Sequence, residues 1–229
     1  MLYVGLDLGQ SNDFTAIAIV ERFQPRILWK EPESWPASEA KPRRPPNPPE
    51  QLHLRWLERI RLGTPYPRIV DHVVKLTEHP QLQRRAEVVL DATGVGAAVL
   101  DLFKARNLHP TAVKIHGGEN VSSSGGGYGV PKRDLVSAAL VALQSGKLRI
   151  ARELEFREEL VRELLAFKPK IDPLTAHDSY NSTGGAHDDL VIALALALWR
   201  AAHRPASYDG IARITIPWGR DPSGRHGKR

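Results

Sequence analysis

Residues 2–20 constrain the fold more tightly than any other stretch. Leu2, Val4 and Leu6 alternate with smaller or polar neighbours, and Ala16 to Val20 is apolar and partly β-branched. Each pattern is that of a buried strand. Between them Gly9-Gln10-Ser11-Asn12-Asp13 is dense in turn formers, so the stretch reads as strand, tight turn, strand. Asp7 is the odd member, a carboxylate near the end of an apolar strand. Burying a charge there is costly unless it is paired or coordinates a cation.

The remaining chain alternates in type. Arg26 to Lys30 is expected to add a third antiparallel strand. Residues 31–49 carry seven prolines, which exclude regular structure and read as a loop or insertion within the domain. Its basic cluster (Lys41, Arg43, Arg44) suits a solvated linker better than a DNA contact. Glu50 to Leu62 has helical spacing, with Leu52, Trp56, Leu57 and Ile60 on one face, and Arg68 to Glu78 predicts a second helix. Glu87 to Asp91 is another apolar strand ending on an acid, followed by a helix to about Arg106 and a strand over Thr111 to Ile115. Strand, helix and strand in succession predict an α/β sheet with a parallel portion.

His116 to Gly129 is rich in Gly and Ser and is expected to be a loop that is mobile or ordered by a ligand. Pro131 suits a helix start, with the helix running to Gly146. A short strand at Lys147 to Ile150, a helix from Glu153 to Phe167, a polar loop from Lys168 to Gly185 and a last apolar helix from Asp188-Asp189 to Ala201 complete the domain. Residues 1–203 are expected to form it, with 31–49 as its insertion and 204–229 as a C-terminal extension ending in a basic tail.

Composition narrows the chemistry. The 229 residues carry 32 Lys and Arg against 26 Asp and Glu, a net charge of +6 with a pI near 9.7. Such a balance favours a polyanionic partner. The absence of cysteine removes disulfides, zinc–thiolate sites and thiol catalysis. No leader or membrane-spanning run is evident, the longest apolar run being Leu190 to Trp199, so a cytoplasmic setting is expected.

The chemistry-bearing residues are the acids Asp7, Asp91 and the Asp188-Asp189 pair. If the first and fourth strands are neighbours, Asp7 and Asp91 project at one sheet edge, and a helix across that edge brings in Asp188. Three or four carboxylates without cysteine suit a hard cation, Mg²⁺ or Mn²⁺. Two such ions are a standard device for phosphodiester hydrolysis. Taken singly, each acid has an ordinary reading. Asp7 can be a turn residue, Asp91 a cap on the following helix, and Asp188-Asp189 an N-cap pair favoured by the helix dipole. His177 and His187 are near the acids in sequence and are candidates to orient water.

In order, Gly5-Leu6-Asp7-Leu8-Gly9 with Asp13-Phe14-Thr15-Ala16, Leu90-Asp91-Ala92-Thr93-Gly94-Val95-Gly96, Val130-Pro131-Lys132-Arg133-Asp134-Leu135 and His187-Asp188-Asp189-Leu190-Val191-Ile192-Ala193-Leu194-Ala195 form a set. As a set they resemble the nuclease domain of phage terminase large subunits, which has a ribonuclease H-like fold close to that of Holliday-junction resolvases. The resemblance implies a mixed sheet, its first three strands antiparallel and the remainder parallel, flanked by helices. It also implies that Asp7, Asp91, Asp188 and Asp189 hold two divalent cations, with Asp188 taken as the principal ligand of the last pair. The implied activity is cleavage of double-stranded DNA during genome packaging, alongside an ATPase domain or subunit, a portal and a small terminase, in a bacterial host cytoplasm. The best candidates for DNA contact are Lys132, Arg133, Lys168 and Lys170. No Gly-x-x-x-x-Gly-Lys-Ser/Thr phosphate loop occurs, so the chain is expected to be an excised domain, a split-gene product or a degenerate relative. The alternatives are a resolvase-like nuclease, a non-catalytic DNA-binding or assembly module, and an ATP-binding domain of the actin and sugar-kinase type.

Overall fold

The computed structural model describes residues 1–9, 13–25, 27, 43, 46–94, 96–171, 178–182 and 187–204. The expected strand at Arg26 to Lys30, nearly all of the proline-rich stretch, His177 and the basic tail lie outside the described residues.

Eight strands form one mixed sheet in the order β6-β7-β5-β4-β1-β2-β3-β8. β1 (Leu2–Asp7) pairs antiparallel with β2 (Thr15–Phe23), and β2 antiparallel with β3 (Gln51–Ile60). β4 (Ala86–Asp91) lies parallel to the other side of β1, and β5 (Thr111–His116) lies parallel to β4. β6 (Ser122–Ser124) and β7 (Gly127–Pro131) form an antiparallel hairpin beyond β5, while β8 (Leu148–Ile150) runs parallel to β3 at the far edge. A separate hairpin joins β9 (Phe167–Ile171) to β10 (Asp178–Ser182).

Helices cover both faces. α1 (Tyr66–Thr77) and α2 (Gly96–Lys104) share a core with Leu2, Val4, Leu6, Ile17, Val88 and Leu90. α3 (Lys132–Gln144), α4 (Arg157–Ala166) and α5 (Asp189–His203) share the other core with Tyr3, Ala16, Ala18 and Val89. Alternation along β1 and β4 therefore divides their side chains between two cores. α5 is buried almost throughout and lies directly on β1. A Cβ added to Gly5 would stand 1.9 Å from the Ala193 carbonyl oxygen, so only glycine admits the helix this close.

Three expectations are corrected. Glu50 to Leu62 is not a helix; Gln51–Ile60 is strand β3. The register shifts between Ile19 and Val20, which face Trp56 and Leu54, so Arg55 is an extra residue in a β-bulge. The bulge turns a period of two into the three-residue step from Leu54 to Leu57, both in the α5-side core, and this step imitates helical spacing. Second, the Gly- and Ser-rich stretch after β5 is largely the β6–β7 hairpin rather than a loop, so the strands after the first three are not all parallel. Third, strands β9 and β10 fall inside the expected polar loop from Lys168 to Gly185.

Candidate active site

Four strands end at one level. Leu6 pairs with Leu90, Asp7 with Ala16, and Ala16 with Arg59. Asp91, Asp7, Ala16 and Arg59 thus make a row across β4, β1, β2 and β3 on the α5 side of the sheet. Arg59 reaches that side because the bulge at Arg55 reverses the strand's alternation. Between Asp7 and Arg59 the row carries the small, wholly buried Ala16. The N-terminus of α5, with Asp188 and Asp189, closes over this row.

The Asp7 carboxyl is pushed well above its ordinary value, first by burial and then by Asp91, Asp189 and Asp188 in that order, with Lys132 acting against them. Asp189 therefore bears on Asp7 more strongly than Asp188 does. Asp91 is also raised by burial, opposed by hydrogen bonding from Thr93 and by the Lys132 charge. Its Oδ1 accepts the Thr93 N–H at 2.8 Å, and the Ile115 N–H donates to Thr93 Oγ1 at 2.8 Å, which anchors the acid's turn to β5. Asp91 thus shapes its own turn and also faces Asp7.

Two cations answer the acids. Lys132, on the first turn of α3, has Nζ 3.2 Å from Asp188 Oδ2. Arg59 pairs with Glu163 of α4 and lies 3.4 Å from Asp189 Oδ2. Its guanidinium rests 4.9 Å above the Phe14 ring, and the other edge of that aromatic cluster is His187, whose Nδ1 is 3.8 Å from Asp189. Burial raises Asp189 to about 6 and Glu163 to about 7, against the lowering effect of Arg59 on both. Glu163 Oε2 accepts the backbone N–H groups of Leu190 and Val191 at 3.1 and 3.2 Å.

Asp7, Asp91, Asp188 and Asp189 are thus brought to one place, and Lys132 joins them inside it. Arg133 is exposed and donates to the Glu119 carbonyl oxygen. Lys168 and Lys170 fall on β9. Sequence reasoning missed Arg59, Phe14 and Glu163 as members. A signal existed for Glu163: it is three residues after buried Leu160, on the inward face of α4.

Carboxylates that raise Asp7 in this way fit a hard divalent cation, whose charge would relieve the repulsion on it. Among the described residues, no three His, Asp or Glu side chains converge tightly enough to enclose an ion. Asp188 and Asp189 are instead turned to Lys132 and Arg59.

A mixed sheet of this topology with helices on both faces is a ribonuclease H-like fold. The chain is similar to the crystal structure of the large terminase nuclease from thermophilic phage G20c, with a TM-score of 0.58 and 20% identity over 86% of this chain and 80% of that one. It is equally similar to that nuclease with bound magnesium, at the same coverage, identity and TM-score. With bound zinc the TM-score is 0.52, at 19% identity over 86% and 79% of the two chains. No protein-family model matches the sequence, and no curated protein matches it.

Proposed function

We propose that this domain is a metal-dependent DNA endonuclease that hydrolyses phosphodiester bonds. The observation that carries the reading is the convergence of Asp7, Asp91 and the Asp188-Asp189 pair, from three separate elements, on one sheet edge, where the other three acids raise Asp7. They are the residues that would hold two Mg²⁺ or Mn²⁺ ions. When bound, such ions supply an activated water and stabilise the leaving 3′ oxygen. The similar phage G20c nuclease has been solved with bound magnesium, which supports a divalent site in this fold.

The chain's own residues supply the rest. Thr93 fixes the Asp91 carboxylate through a backbone hydrogen bond. Lys132 and Arg59 each hold one acid of the α5 pair, and Lys132 with Arg133 would meet the phosphate backbone at the mouth of the site. Lys168 and Lys170 would extend that contact along β9. The domain spans residues 1–203, with an insertion at 31–49 and an extension at 204–229. It acts on double-stranded DNA in genome packaging, with an ATPase domain or subunit, portal and small terminase as partners, in the host cytoplasm. Among the described residues no helix is long and apolar enough to cross a membrane.

The test is nicking and linearisation of supercoiled plasmid with Mn²⁺, Mg²⁺ or chelator, comparing the native chain with Asp91→Ala. Cleavage should require the ion, and the variant should lose at least about 100-fold, the upper end for disturbing even a supporting residue of a metal site. DNA binding without cleavage under any ion would favour the non-catalytic module instead.

A further inference from the structure

Aspartate at the N-cap position ordinarily turns its carboxylate onto the backbone N–H groups of the second and third helical residues. Asp188 occupies that position in α5, with φ −125° and ψ 12°, and makes no such bond. Its carboxylate is turned to Lys132 Nζ instead. The two donors it leaves, Leu190 N–H and Val191 N–H, are taken by Glu163 Oε2 from a different helix. Glu163 is 7% exposed, and its other oxygen is paired with Arg59, so its position is fixed from both sides.

We infer that Glu163 is a surrogate cap for α5, and that this frees the Asp188 carboxylate for the ion-binding edge. A buried pair of helix-end amides demands an acceptor. With Glu163 in place, Asp188 need not supply it. Without Glu163, Asp188 is the residue whose N-cap position serves these amides, and its return to the cap takes it out of the site. Glu163 is then a positioning residue that touches neither ion nor DNA, and its importance lies in reach rather than charge. This inference rests on the metal-site reading above.

The two requirements separate cleanly by substitution. Glu163→Gln keeps the side-chain length and the oxygen that accepts the two amides, but sets an NH2 donor where Arg59 had an acceptor, so it tests the cap without the Arg59 pair. Glu163→Asp keeps the charge but is one methylene too short to hold both amides. Mn²⁺ affinity of the full chain, measured by electron paramagnetic resonance without DNA, reads the effect independently of cleavage. Glu163→Gln should bind Mn²⁺ as the native chain does, and Glu163→Asp should lose at least about tenfold, the scale for a residue that orients a metal ligand. In an Asp188→Ala background, Glu163→Asp should cause no further loss, because the residue through which it acts is gone.

Native-like binding in both variants, or weakened binding in Glu163→Gln, would overturn the surrogate cap while leaving the metal site standing. Additive losses in the Asp188→Ala background would do the same. A native chain that binds no Mn²⁺ would overturn the metal site itself, and the cap's purpose with it. Both substitutions keep a polar side chain of similar bulk at this position, and far-ultraviolet circular dichroism verifies that each variant folds.

Discussion

Asp7 concentrates the conflict between stability and function in one side chain. It sits at the end of one of the two central strands, half-buried, with three further carboxylates acting on it. Among the causes acting on it, only the Lys132 charge works against the rise. In the metal-free protein this arrangement costs free energy, as functional sites often do. Asp7→Asn removes the charge and keeps the shape. It should therefore raise metal-free stability by about 1 kcal/mol, within the usual range for relieving an unfavourable site, while abolishing plasmid cleavage. Urea unfolding in chelator checks the first part. With Mn²⁺ at saturating concentration the order should reverse, since an ion that binds only the folded native chain stabilises it by mass action. A metal-free variant less stable than the native chain would show that Asp7 is held by favourable contacts rather than strained.

At the level of elements, the contact between β1 and α5 decides where the last two acids lie. Gly5 is two residues before Asp7, and its missing side chain is what lets the Ala193 carbonyl approach the strand. Gly5→Ala must push α5 outward or bend β1. Because both carry acids, it should destabilise the fold by roughly 1–3 kcal/mol, as overpacking does, and weaken cleavage beyond what the stability loss explains. Thermal unfolding and plasmid cleavage well below the transition measure the two effects separately. The strands bearing Asp7 and Asp91 and the helix behind Asp189 were legible because their apolar patterns run unbroken and each acid stands at an end. Arg59 was not legible, since the bulge at Arg55 disguised β3 as a helix and reversed which residues face α5. A bulge depends on how a neighbouring strand pairs, and no periodicity within the bulged strand records that. The β6–β7 hairpin was hidden for a related reason. Ser122 to Ser124 and Gly127 to Gly129 carry no apolar alternation; β7 is made a strand by its pairing with β5, and β6 by its pairing with β7.

Across the whole molecule, α5 is clamped at both ends, and the second clamp lies far from the acids. At its C-terminal end Arg200 Nε donates to Glu87 Oε1 at 2.6 Å and its guanidinium lies over the Tyr128 ring. Arg204 pairs with the other Glu87 oxygen, and Thr111 of β5 adds a hydrogen bond at 2.9 Å. Arg22 of β2 donates to the carbonyl oxygens of Ala201 and Arg204. Glu87 thus ties the last helix to β4 and β5 at the sheet edge opposite the site. Burial works against its ionisation, but the hydrogen bonds from Arg200 and Thr111 and the charges of Arg200 and Arg204 outweigh it, so Glu87 is held below its ordinary value. A carboxylate lowered on folding contributes stability that is fully present above its unfolded value, near 4.5, and is lost as pH falls through the lower folded value. Glu87→Gln should therefore cost about 1–3 kcal/mol at pH 7, the scale of hydrogen bonds to a charged group. The gap from the native chain should shrink as the pH falls below about 4, where the native residue also becomes neutral. Urea unfolding of both proteins at several pH values checks this, and a gap that stays constant into acid would mean that Glu87 acts through packing rather than charge. The effect on Mn²⁺ affinity at pH 7 should be small compared with that of Glu163→Asp, because the clamp at Glu87 holds the helix in place while the one at Glu163 sets which way its first carboxylate turns.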